Sequence, residues 1–130
     1  MTTNSSTDAL RVLVVEDESA TRELLSYLLD KRYAADIVET YDDALERAET
    51  EDFDAVLIDI SLSDEYTGED VMQALRERAR TADAAMIACT AYAMPGDREH
   101  FLKRGFDSYI SKPFTRERLY HVIEETVGRD

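Results

Sequence analysis

Leu10-Arg11-Val12-Leu13-Val14-Val15-Glu16-Asp17 is an apolar run that stops abruptly on two acids. A nearly unbroken apolar stretch rich in valine suits a strand covered on both faces better than one that is half exposed. Comparable runs occupy Ala55-Val56-Leu57-Ile58, which ends on Asp59, and Ala85–Cys89, which ends on Thr90. Weaker ones lie around Ala35–Val38 and at Ser108–Ile110.

Between these runs the apolar period becomes helical. Ala20, Leu24, Leu25, Leu28 and Leu29 share one face and leave Arg22, Glu23 and Ser26 outside it. Thr40-Tyr-Asp-Asp43 and Thr67-Gly-Glu-Asp70 carry the hydroxyl-x-x-acid signature of a helix start. Apolar stripes follow each: Ala44, Leu45 and Ala48, then Val71, Met72 and Leu75. A fourth helix is predicted from Met94 to Arg104, with Phe101 and Leu102 inward and Gly105 as its stop. A fifth starts near Thr115 and buries Leu119, Val122, Ile123 and Val127. Strand and helix thus alternate five times with short connections, which gives a parallel sheet covered by helices on both faces.

The chain of 130 residues suits one domain: residues 9–130 are expected to form it, residues 1–8 to be a polar, disordered arm, and no output domain to follow. Twenty-nine acidic residues against 15 basic ones give a net charge of −14. Binding to nucleic acid or to anionic membrane is therefore not expected, since both require clustered cations. No apolar run approaches the roughly 20 residues that span a bilayer, and the N-terminus lacks the pattern of a signal peptide. The single Cys89 cannot form an internal disulfide, which fits a cytoplasmic protein. Adaptation to a salt-rich cytoplasm would also account for the acidic excess.

In parallel sheets of this kind, ligands bind at the carboxyl ends of the strands. Glu16 and Asp17 follow strand one, Asp59 ends strand three, Thr90 ends strand four and Lys112 lies just past strand five; Glu39, after strand two, falls toward the edge. Crowded carboxylates repel, so a cation must sit among them or some must be protonated. An all-oxygen set without Cys or His suits Mg²⁺, with Mn²⁺ as an alternative, rather than zinc. Lys112 and Thr90 suit an anion sharing that metal, and a phosphoryl group is the natural candidate. Asp59, ending a central strand, is the expected nucleophile, and its attack on phosphorus would yield an acyl phosphate.

From Leu10 onward the chain resembles a response-regulator receiver domain. The matching residues are Val14-Val-Glu-Asp-Glu18, Leu57-Ile-Asp-Ile60, Thr90-Ala-Tyr-Ala93 and Tyr109-Ile-Ser-Lys-Pro-Phe114, while Ala93-Met-Pro-Gly-Asp-Arg-Glu99 is similar to the receivers of hybrid histidine kinases and free-standing relatives. The resemblance implies a flavodoxin-like (βα)₅ sandwich with strand order 2-1-3-4-5. It implies that Asp59 accepts a phosphoryl group from a histidine kinase or histidine phosphotransfer protein. Asp17, Asp59 and the Ser61 carbonyl would hold Mg²⁺, with Glu16 acting at least partly through water. Thr90 and Lys112 would contact the phosphoryl group, Tyr109 would act as a switch, and Ser61 and Tyr92 would tune hydrolysis. Lys112-Pro113 is expected to be cis. The implied output is a changed surface on helix four, strand five and helix five, read by a downstream protein. The domain would be a monomer or weak dimer, and no independent enzyme.

Plainer readings stand beside these. Glu16-Asp17 suits a solvated turn, Tyr109 an edge packing residue, Cys89 a small core residue, and His100 and His121 ordinary surface positions. The chain also departs from the family. Leu62-Ser63 stands where Met-Pro is common, and Gly68 comes one residue late, so the loop after strand three is longer and less rigid. A pseudo-receiver that is never phosphorylated is one alternative. A Mg²⁺ aspartyl phosphatase is another, but it would want an acid where Ser61 stands. A nucleotide-binding domain is excluded, because Glu16-Asp-Glu-Ser19 replaces the glycine-rich loop such a site requires.

Overall fold

A computed structural model describes residues 9–62, 66–91 and 96–128. The five strands among them, β1 (Arg11–Val15), β2 (Ala34–Val38), β3 (Ala55–Asp59), β4 (Ala85–Thr90) and β5 (Ser108–Ser111), form one parallel sheet in the order β2-β1-β3-β4-β5. The helices are α1 (Ser19–Asp30), α2 (Tyr41–Thr50), α3 (Gly68–Arg76), α4 (Asp97–Arg104) and α5 (Arg116–Val127). This is the flavodoxin-like arrangement anticipated above. The arm at residues 1–8 and Tyr92 lie outside the described residues.

Side chains alternate across a strand, and in the central strands both sets are apolar. Leu13 and Val15, Val56 and Ile58, and Met86 and Ala88 face a core shared with α2, α3 and α4. Val12 and Val14, Leu57, Ile87 and Cys89 face a second core filled by Leu25, Leu29, Leu119 and Ile123 of α1 and α5. The continuous apolar runs therefore follow from double burial.

Local chemistry sets the helix ends. Thr40, Thr67 and Thr115 each accept a backbone N–H three residues on, and Asp70 returns a bond to the Thr67 N–H to complete a capping box. Thr67→Ala is expected to cost about 1 kcal/mol, read as a lower urea midpoint. Gly105 ends α4 at φ +117°, a conformation in which a side chain would be strained.

Two expectations need correction. Leu24 is 45% exposed and Ala20 is also exposed, so only Leu25, Leu28 and Leu29 of the α1 stripe are buried. At about 3.6 residues per turn, Leu24 stands roughly a quarter turn from the middle of the buried face, at its edge beside Leu28. Leu102 is exposed while Phe101 is buried, because residue 102 lies about 100° further round the helix and falls outside the face α4 docks on the core. Helix α4 is described from Asp97, directly after Gly96 at φ +92°, and the expected start at Met94 lies outside the described residues. No helix among the described residues is long and apolar enough to cross a membrane.

Candidate functional site

Strand register builds the site. One step beyond the pair Val15–Ile58 stand Glu16 and Asp59, and Asp59 itself pairs with Cys89, the neighbour of Thr90. Thr90 pairs with Ser111 on β5, and Lys112 follows, its N–H donating to the Thr90 carbonyl at 2.8 Å. Strand ends far apart in sequence thereby meet. One carboxylate oxygen from each of Glu16, Asp17 and Asp59 lies within 4.8 Å of the others, the only such potential metal-binding group among the described residues.

Burial makes this crowding costly. Glu16 is 1% exposed and Asp59 is 4% exposed. Lys112 Nζ lies 2.9 Å from Glu16 Oε1 and 3.9 Å from Asp59 Oδ1. Loss of water pushes the Glu16 carboxyl above its ordinary range; the Lys112 ammonium opposes that shift and the Asp59 carboxyl adds to it. For Lys112, burial alone would favour the neutral amine. The Glu16 and Asp59 carboxylates outweigh it and hold the amine pKa above its usual value. A single ammonium therefore only partly balances three acids. Oxygen ligands at this spacing and with this unbalanced charge suit a hard divalent cation.

Backbone groups fix the acids. The Ser61 N–H donates to Asp59 Oδ1 at 2.9 Å, and the Glu18 N–H donates to Glu16 Oε2 at 3.1 Å. The Ile60 N–H donates to the Cys89 carbonyl at 2.9 Å and so anchors the chain just past Asp59. Lys112-Pro113 is cis, as expected.

Of the residues singled out by sequence, Glu16, Asp17, Asp59, Ser61, Thr90 and Lys112 come together at this end of the sheet. Thr90 is buried at the end of β4. Tyr109 is half-buried against the α2–α4 core, its ring 6.1 Å from that of Phe101. Cys89 is buried, with its thiol pKa pushed up to about 12, chiefly by loss of water, as suits an inert core residue. His100 and His121 are exposed on separate helices; His100 lies 3.6 Å from Glu69, which also pairs with Arg104 at 3.0 Å. Glu39 stays at the rim, 3.8 Å from Arg22.

Two features were not foreseen. Arg22, assigned to the outer face of α1, is half-buried and donates to the Glu16 carbonyl at 3.1 Å; nothing in the helical period distinguishes it from a solvated arginine. Gly68 packs against the end of β3 so closely that a Cβ there would lie 2.5 Å from the Asp59 carbonyl oxygen. Its position as the first glycine after Asp59 was the available signal.

A second hollow of about 780 Å³ opens at the other end of the sheet, lined by Asp52, Arg76, Arg80 and Asp107 among others. Its cations are already committed. Arg80 pairs with Asp52, while Arg76 pairs with Asp107 and donates to the Ala82, Ala84 and Gly105 carbonyls. The chemistry therefore lies with the carboxylates at the opposite end.

Comparison with known proteins supports this geometry. The family of the response regulator receiver domain matches residues 12–124. The chain is 31% identical over 122 residues to the signal transduction histidine-protein kinase BarA of Escherichia coli, covering 93% of this chain and 13% of that protein. It is 38% identical over 111 residues to the transcriptional regulatory protein DltR of Streptococcus agalactiae, covering 85% of this chain and 48% of that protein. It thus spans half or less of these relatives. Among solved structures, the receiver domain of sensor histidine kinase PA1611 from Pseudomonas aeruginosa, with magnesium in its active-site cleft, superposes with a TM-score of 0.81 at 29% identity, covering 92% of this chain and 98% of that one.

Proposed function

Because this chain belongs to the response regulator receiver family, we propose that it is a phosphoacceptor module of two-component signalling, with Asp59 taking a phosphoryl group from a phosphohistidine. The observation that carries this reading is the meeting of Glu16, Asp17 and Asp59 within 4.8 Å, beside Lys112. The donor would be a histidine kinase or a histidine phosphotransfer protein. An oxygen of Asp59 forms a bond to phosphorus as the phosphorus–nitrogen bond to the donor imidazole breaks.

Asp17, Asp59 and the Ser61 carbonyl are the proposed ligands of Mg²⁺, with Glu16 assisting partly through water. When bound, the ion balances charge on the carboxylates and the incoming phosphoryl oxygens. The chain's own residues do the rest. The Ser61 N–H orients the Asp59 carboxylate. Lys112 exchanges its contact with Glu16 for one with the phosphoryl group, and Thr90 donates its hydroxyl to that group. Transfer adds about −1.5 to −2 charge and three acceptor oxygens, favouring one of two arrangements of α4, β5 and α5. Tyr109, which lies beside Phe101 of α4, is the proposed reporter of that choice. A downstream protein would read the altered face. Ser61 and Tyr92 are assigned to tuning hydrolysis.

Incubation with acetyl phosphate and Mg²⁺, followed by phosphate-affinity electrophoresis, tests this reading. Wild type is expected to show a retarded band that Asp59→Ala lacks entirely, with both proteins folded by circular dichroism. A wild type that never shifts with acetyl phosphate or with a phosphorylated kinase would mark a pseudo-receiver, whereas a persistent band in Asp59→Ala would move the acceptor elsewhere.

A further inference from the structure

The connection from β3 to α3 has neither proline nor glycine between Asp59 and Gly68, so no residue in it has a covalently fixed φ. Contacts at its described ends therefore matter, and one of them is specific. Tyr66, near the end of this connection, stacks on Tyr41, the first residue of α2, with ring centroids 3.9 Å apart and planes 17° from parallel. Tyr41 in turn packs against the core shared by α2, α3 and α4, while Tyr66 keeps 37% of its surface exposed. The same connection includes Ser61, whose N–H holds Asp59 Oδ1, and Leu62, which is buried.

We infer that Tyr41 and Tyr66 form an aromatic clamp that positions the connection, so that the Ser61 backbone faces the divalent ion; the inference rests on the metal-dependent reading above. Both are positioning residues, since they act through the backbone of the connection. The strand and helix at the two ends of the connection are held by the core whether or not the rings stack. The stack therefore fixes Tyr66 at the described end of the connection and contributes little to global folding. A stacked aromatic pair biases such a choice by about two- to tenfold. It supplies in this chain what a proline would otherwise fix.

The test is a Mg²⁺ titration of the full chain followed by amide chemical shifts, beside thermal unfolding without the ion. Tyr66→Ala and Tyr41→Ala are each expected to weaken Mg²⁺ binding about three- to tenfold, and the double variant to bind no more weakly than either single one. Tyr66→Phe, which keeps the ring and loses only the hydroxyl, is expected to stay within about twofold of wild type. Tyr66→Leu, which keeps bulk without a planar face, should fall with Tyr66→Ala and serves if the smaller side chain impairs folding. Unchanged Mg²⁺ affinity in Tyr66→Ala, or an equal loss in Tyr66→Phe, overturns the clamp and leaves the phosphoacceptor reading intact. A wild type with no Mg²⁺ response at all overturns both.

Discussion

Gly68→Ala is expected to destabilise the domain by about 2–3 kcal/mol and to weaken the site together with the fold. The added Cβ would lie 2.5 Å from the Asp59 carbonyl oxygen, 2.9 Å from the Ile60 Cα and 3.2 Å from the Asp59 carbonyl carbon. All three are backbone atoms, so no side chain can rotate out of the way. Either the first turn of α3 retreats or the end of β3 moves, and the second route displaces the proposed phosphoacceptor. The intrinsic preference of helices for alanine returns at most about 1 kcal/mol. Gly105→Ala is the informative control. Its Cβ would meet the Met72 side chain at 3.0 Å, and its φ of +117° disfavours a side chain, yet it lies away from the acids. It should lose stability while keeping its affinity for Mg²⁺. Urea unfolding and Mg²⁺ titration of both variants separate the two effects, and a Gly68→Ala protein as stable and as metal-responsive as wild type would show that α3 withdraws freely.

The same glycine marks where sequence reading stops. Periodicity reports which face of an element is apolar, so β1, β3, β4, the capped starts at Thr40 and Thr67 and a helix starting near Thr115 are legible in the sequence. The strand-end rule likewise placed Glu16, Asp17, Asp59, Thr90 and Lys112 at one end, because it depends only on where each strand stops. Packing distance leaves no periodic trace. The Gly68 contact, the Arg22 bond to the Glu16 carbonyl and the Tyr41–Tyr66 stack each join segments whose separation in space no local pattern encodes. Leu24 and Leu102 failed for a related reason. An apolar stripe can be wider than the surface a helix presents to the sheet, and only the tertiary docking angle decides which edge stays wet.

Charge balance at the site leads to the other large effect. Lys112→Met removes the ammonium that lies 2.9 Å from Glu16 and 3.9 Å from Asp59 and leaves buried carboxylates uncompensated. Breaking a buried pair on one side typically costs about 3–5 kcal/mol, and the lower end is expected here because Glu16 can escape by taking up a proton. The pH dependence follows from the directions of the shifts. Glu16 in the folded protein titrates above its ordinary value of 4.5, so between those two values the native state binds more protons than the unfolded chain. Stability therefore rises as pH falls through that window. Without Lys112 the folded value climbs further and the window widens upward, so the deficit of the variant should be largest near neutrality and shrink on acidification. Lys112 itself titrates above its ordinary 10.5 in the folded protein, so in wild type its contribution is complete below that value and disappears only as pH rises through the raised one. Mg²⁺ supplies the missing charge from outside. The ammonium now competes for the same oxygens, so Lys112→Met should bind the ion several-fold more tightly and gain more thermal stability from it than wild type does. Its phosphorylation by acetyl phosphate should nonetheless fall, because the incoming phosphoryl group has lost its cationic partner. Tighter metal binding with weaker phosphoryl acceptance is a signature that a merely structural lysine does not give, and a parallel loss of both would reduce Lys112 to a scaffold residue.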